Sequence, residues 1–167
     1  FVFILSAILI LINILSLGIW GRIDLTSDKM YSLSKGTIDV LKDMDDPIEV
    51  RAYFSRDLPA NLGSLVQYVN DSLDDYQSYS NGKVHFSFLD PSENKEIETE
   101  ATNFRCPPLT LQQMANDAYS QQKVFMCLVF LFEDKTEVIP AVKSTQGLEY
   151  EVTSIIKKIT AKTVRQV

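Results

Sequence analysis

Apolar and polar positions divide the chain into one unbroken apolar run and a longer part of alternating character. Phe1 to Trp20, FVFILSAILILINILSLGIW, holds no charge, and only Ser6, Asn13, Ser16 and Gly18 interrupt its apolar side chains. A helix of that length rises about 30 Å, the thickness of a bilayer's hydrocarbon core. Trp20 followed by Arg22 makes an aromatic and cationic rim where such a helix leaves lipid. The run therefore predicts an uncleaved transmembrane anchor over residues 1–21. A signal peptide is the rival reading. Its apolar centre is shorter, roughly 7–15 residues, and ends in small residues, whereas Leu17-Gly18-Ile19-Trp20 makes a poor cleavage context. A buried core helix is the other alternative, although such helices rarely carry apolar side chains on every face.

After Gly21 the pattern changes. Residues 22–46 predict a juxtamembrane connector and a short helix, in which Ser34 caps Lys35–Met44 and Asp45-Asp46-Pro47 ends it. Ile48–Phe54 alternates strictly, with Ile48, Val50, Ala52 and Phe54 on one face, and predicts a strand. From Asn61 to Ser80, the residues Leu62, Leu65, Val66, Val69, Leu73 and Tyr76 recur at helical spacing. Asp71, Asp74 and Asp75 lie opposite, and Asn81-Gly82 is the stop. Lys83–Leu89 is a second strand with Val84, Phe86 and Phe88 on one face. Glu93–Phe104 predicts an acidic helix, broken by Cys106-Pro107-Pro108. Leu109–Gln122 reads only as a short strand plus loop, or as an insertion. Val124–Phe132, VFMCLVFLF, predicts a strand buried on both faces. Thr136–Pro140 is its hairpin partner, and Leu148–Thr160 a last helix with Val152, Ile155, Ile156 and Ile159 inward.

This order predicts an α/β fold, an N-terminal transmembrane helix followed by a thioredoxin-like βαβ-ββα domain over residues 47–167. A Rossmann-like α/β arrangement is the alternative, but it needs a parallel crossover where the pattern shows a hairpin. The chain opens inside its apolar run without a Met and stops just after a helical pattern. The expectation is that the protein continues into a further C-terminal region beyond Val167.

Charge and chemistry narrow the function classes. Sixteen basic and 22 acidic residues give a formal net charge of −6, all of it after Trp20. An acidic domain without a basic stripe argues against nucleic-acid binding and against lying flat on anionic lipid. Cys106 and Cys127 do not make a disulfide framework. Cys127, inside an apolar run, reads as a buried free thiol; a Cys106–Cys127 bridge is the alternative in an oxidising compartment. Neither belongs to a C-x-x-C motif, so dithiol exchange lacks its resolving thiol. His85, the one histidine, has no nucleophile or acid at a suggestive spacing and reads as structural. There is no His/Cys cluster for zinc and no glycine-rich phosphate loop. The acidic runs read as solvated helix faces. Asp90-Pro91 ends a strand, where α/β domains place ligand contacts; the simpler reading is that Asp90 shapes the turn and caps the next helix. No catalytic, cofactor-binding or metal residue is assigned, and no cofactor is called for.

Several stretches together resemble the auxiliary, extracytoplasmic component of the gliding-motility-type ABC transporters. They are Arg22-Ile-Asp-Leu-Thr behind the apolar run, Tyr31-Ser-Leu-Ser-Lys-Gly-Thr37, Asp90-Pro91, and Gly147-Leu-Glu-Tyr-Glu-Val-Thr153. Cys106–Gln122 and Cys127 depart from that pattern. The resemblance implies a non-enzymatic accessory subunit at the bacterial inner membrane, its domain facing the periplasm or outside, working beside a polytopic permease and an ATPase. A membrane-tethered solute-binding module is the alternative function. Within this reading Asn13 and Ser16 are candidates for helix–helix contacts. Arg22 and Asp24 are placed to pair with each other or with a partner. Tyr31, with Leu33, is placed to pack the connector onto the domain. Glu149 and Tyr150 open the last helix, where the helix dipole favours a carboxylate.

Overall fold

The computed structural model of the protein describes residues 4–6, 33–115 and 118–161, with the side chains of 113–120 left aside. The chain divides into two units, residues 1–30 and 31–167. In the first, residues 4–6 are helical, with Ile4 and Leu5 exposed. In the second, the elements in order are α1 (Lys35–Lys42), β1 (Ile48–Phe54), α2 (Gly63–Tyr79), β2 (Val84–Leu89), α3 (Lys95–Asn103), β3 (Leu109–Ala115), β4 (Ala118–Val124), β5 (Met126–Phe132), β6 (Lys135–Ile139) and α4 (Leu148–Thr160).

Local chemistry explains the boundaries. Ser34 caps α1 by accepting the Thr37 N–H. Asn81 and Gly82 take positive φ after α2, the conformation that reverses the chain into β2. Asn94 caps α3 by accepting the Glu96 N–H at 2.8 Å, and Glu96 and Glu98 follow in the first turn, where the helix dipole favours them. In α4 the charges obey the same rule, Glu149 and Glu151 at the start and Lys157 and Lys158 at the end.

Four strands make one mixed sheet in the order β2-β1-β5-β6. β1 is parallel to β2 and antiparallel to β5, and β5 is antiparallel to β6. One face of this sheet presents Val50, Ala52, Phe54, Met126, Leu128 and Phe130 to a core closed by α1, α2 and α4. The other presents Tyr53, Cys127 and Val129, covered by Ala101 and Ile97 of α3 and by Phe104 and Cys106 just beyond it. β5 sits between β1 and β6, which is why its MCLVFLF run carries apolar residues in both directions.

The expected fold class is corrected on two counts. Among the described residues no helix is long and apolar enough to cross a membrane. The longest of them, α2, has 17 residues and turns Asp71, Asp74 and Asp75 away from its buried Leu65, Val69 and Leu73, as a helix covering a sheet must. Apart from residues 4–6, the anchor expected over residues 1–21 lies outside the described residues. The second count is the order of elements. In place of a βαβ-ββα domain the structure is a mixed α/β domain in which an extra hairpin, β3–β4, stands between α3 and β5 and forms a two-stranded sheet of its own. The parallel crossover that a Rossmann-like arrangement needs is also absent from the last strands, which are antiparallel.

The cysteines are bonded, Cys106 to Cys127, with Cα atoms 6.0 Å apart and both side chains fully buried. This corrects the expectation of a free thiol at Cys127. The bond ties the end of α3 to the central strand.

Candidate functional site

The carboxyl ends of the two parallel strands lie side by side, and the residues that follow them build a cleft of about 420 Å³. Phe54 and Phe88 form its floor, with rings 5.7 Å apart, and Leu58, Pro59 and Val66 its walls. A volume of this order is what small-molecule and side-chain pockets occupy, roughly 300–1,000 Å³.

Asp90 organises the mouth. Its carboxylate accepts the Ser92 N–H at 2.8 Å and the Arg56 N–H at 3.1 Å, so it holds the segment after β2 against the segment after β1. The Ser55 and Ser92 hydroxyls meet at 3.1 Å. Ser55 also accepts the Phe125 N–H, while its own N–H donates to the Phe125 carbonyl, both at 3.0 Å. An Arg56–Glu93 ion pair spans the rim. Asp90 thus shapes its turn but does not cap α3; Asn94, four residues on, does that.

A second cluster lies on the face covered by α3. Glu100 accepts hydrogen bonds from the Tyr53 hydroxyl at 2.6 Å and from Arg51, whose Nε also donates to Glu49 at 2.7 Å. The Tyr53 hydroxyl, and after it Arg51, holds the Glu100 carboxyl below its ordinary range against the opposing cost of burial. Burial, then the neighbouring carboxylate, pushes the Tyr53 hydroxyl up. Arg51 stays cationic, held above its ordinary value first by Glu49. The Phe104 ring lies 5.8 Å from the Arg51 guanidinium.

The third cluster joins the first helix to the last. Glu149 accepts the Ser34 N–H at 2.8 Å and the Thr37 hydroxyl at 2.6 Å. Thr37 lies 3.0 Å from the Thr153 hydroxyl, which meets Tyr76 at 2.6 Å, and Tyr76 donates to the Glu149 carbonyl at 3.0 Å. Burial works against the Glu149 charge, but the bonds from Thr37 and Ser34 outweigh it and lower its pKa. Burial raises the Tyr76 hydroxyl. Ser34 and Thr37 from one of the stretches noted for their resemblance, and Glu149 and Thr153 from another, therefore meet at one corner. Glu149 does more than answer a helix dipole, and its partners 112 and 115 residues away leave no periodic trace in the chain. Tyr150 beside it is 80% exposed.

Of the residues singled out as partner contacts, Asn13, Ser16, Arg22, Asp24 and Tyr31 all lie outside the described residues. Leu33 is buried in the core. His85 is exposed, opposite Glu49 in the β1–β2 register. Among the described residues no group of three or more His, Cys, Asp or Glu could hold a metal ion.

Residues 27–131 match a family described as a domain of unknown function, DUF7088. The chain belongs to that family. The stretch that defines the DUF7088 match reaches from ahead of α1 into β5, so it contains the cleft and both bonded cysteines and stops before α4. A curated relative, an uncharacterized protein of Borreliella burgdorferi, is 24% identical over 138 residues, or 83% of this chain. The chain spans about a quarter of that relative's length, 27%. No solved structure matches.

Proposed function

We propose that this DUF7088 protein is a non-enzymatic accessory subunit of an ABC-type transport system at the bacterial inner membrane, with its folded domain outside the cytoplasm. The observation that carries this reading is the Cys106–Cys127 bond, buried beneath α3. Disulfides persist in oxidising compartments such as the periplasm and are rare where thiols are kept reduced. The stretches that resemble the auxiliary components lend further support through what they do. Ser34 and Thr37 lock to Glu149 and Thr153, and Asp90 ties two strand ends together. Such roles build a scaffold that partners can grip, and leave transport chemistry to a separate permease and ATPase.

Extraction of membranes in mild detergent, with free thiols blocked at lysis, tests this. The chain should co-purify with an ATPase and a polytopic permease, and Cys106 and Cys127 should be found bonded. Recovery of the intact protein without transporter subunits, or with both thiols free in growing cells, overturns the reading.

A further inference from the structure

β2 is the outermost strand beside β1, and among the described residues no strand pairs with its other side. The Ile48 N–H bonds the Lys83 carbonyl at 2.8 Å. With the strands parallel and in the register Ile48 to Val84, the peptide groups of Val84, Phe86 and Phe88 then point away from β1. The Ser80 hydroxyl takes the Val84 N–H at 2.9 Å, which leaves the outward groups of Phe86 and Phe88 as the open edge. Proteins usually blunt such an edge with charge, proline or a bulge. VHFSFL carries no Asp, Glu, Lys, Arg or Pro. Phe86 and Phe88 are only half-buried, with rings edge to face at 6.1 Å, and Phe88 leads straight into the cleft at the strand's end.

We propose that the β2 edge and the adjoining cleft dock an extended, uncharged segment of a partner protein. That segment adds as a strand beside β2 and seats one bulky apolar side chain against Phe54, Phe88 and Val66. Charge selects the occupant. The strand itself holds no charged side chain. The flanking Lys83 ammonium and Asp90 carboxylate are opposite in sign and held on the Met44 carbonyl and on the Arg56 and Ser92 N–H groups. Arg56 pairs with Glu93 at the rim, so a strand of either charge finds no net answering charge along this edge. A second copy of this chain fits poorly. It brings another net charge of −6, and a six-residue edge buries far less than the roughly 800 Å² per partner that a stable dimer needs.

The test uses a fluorescein-labelled heptapeptide of alternating threonine and valine with a central leucine, titrated with the full chain and read by anisotropy. Saturable binding is expected, and replacing the central leucine by glycine should weaken it about tenfold. Phe86→Pro removes the outward N–H without touching a bond to β1, and should weaken binding about tenfold beyond Phe86→Ala, which loses the ring but keeps the N–H. Circular dichroism confirms that both variants keep the fold, and the peptide comparison needs no protein variant. Absence of saturable binding overturns the proposal, as do equal affinities for the leucine and glycine peptides, or for Phe86→Pro and Phe86→Ala. Sedimentation that shows the chain pairing with itself through this edge overturns it too.

Discussion

The two faces of the four-stranded sheet are covered by different means. One carries three helices, and every strand contributes apolar side chains to their common core. Among the described residues the other carries one nine-residue helix, α3, held by Ala101, Ile97, a disulfide and the Arg51–Glu100–Tyr53 bonds. Burial of apolar area is non-directional and is spread over many residues, so the first face should yield only with the whole fold. The second depends on a few specific bonds, and each can be removed separately. Stability should therefore be global on one face and local on the other.

The largest effect is expected from Phe130→Ala on the three-helix face, where the ring is fully buried. It should cost about 4 kcal/mol and lower the midpoint of denaturant unfolding for the entire domain. An equal loss from Val129→Ala, one residue earlier and facing α3, would erase the contrast between the faces. Replacing both Cys106 and Cys127 by serine should come next, at about 3 kcal/mol for a loop closed across 21 positions. Hydrogen exchange should rise over residues 95–106 while α2 and α4 stay protected; uniform loss of protection would contradict a local role. Glu100→Gln should cost about 1 kcal/mol, because it weakens two hydrogen bonds at a half-exposed site. Spectroscopic titration of Tyr53 should then begin at lower pH than in the parent, though burial still holds it above an ordinary tyrosine.

The smallest effect belongs to Glu149. Its folded pKa is lowered, so its charge stabilises the domain above the unfolded value, about 4.3, and that contribution disappears as pH falls through the folded value. The stability gap between the parent and Glu149→Gln should be less than about 1 kcal/mol near neutrality and close below about pH 4. A gap that widens on acidification would reverse the sign and remove the argument.

Much of the second unit was legible because its elements bury one face each. Period-two alternation marks β1 and β2, and helical spacing marks α2 and α4. The β3–β4 ribbon was not, since LTLQQMA and AYSQQKV are rich in glutamine and lack a continuous apolar face; their pairing is a backbone matter. The disulfide was obscured for a related reason. Nothing in a 21-residue separation shows that a hairpin folds back between the cysteines and returns Cys127 to the end of α3. Of the candidate sites, Asp90 was readable as a turn residue, while its bond to Arg56 depends on two strand ends that only the folded sheet brings together.

The corner where Glu149 holds Ser34 and Thr37 also sets a load path. Any tension that enters the domain at Leu33 reaches α1 first, and α1 is fastened to α4 and, through Thr153, to Tyr76 of α2. The pull is shared among helices before it reaches a strand. A pull applied at this end of the domain would in this way strain a cluster of side-chain hydrogen bonds before the ladder of the sheet.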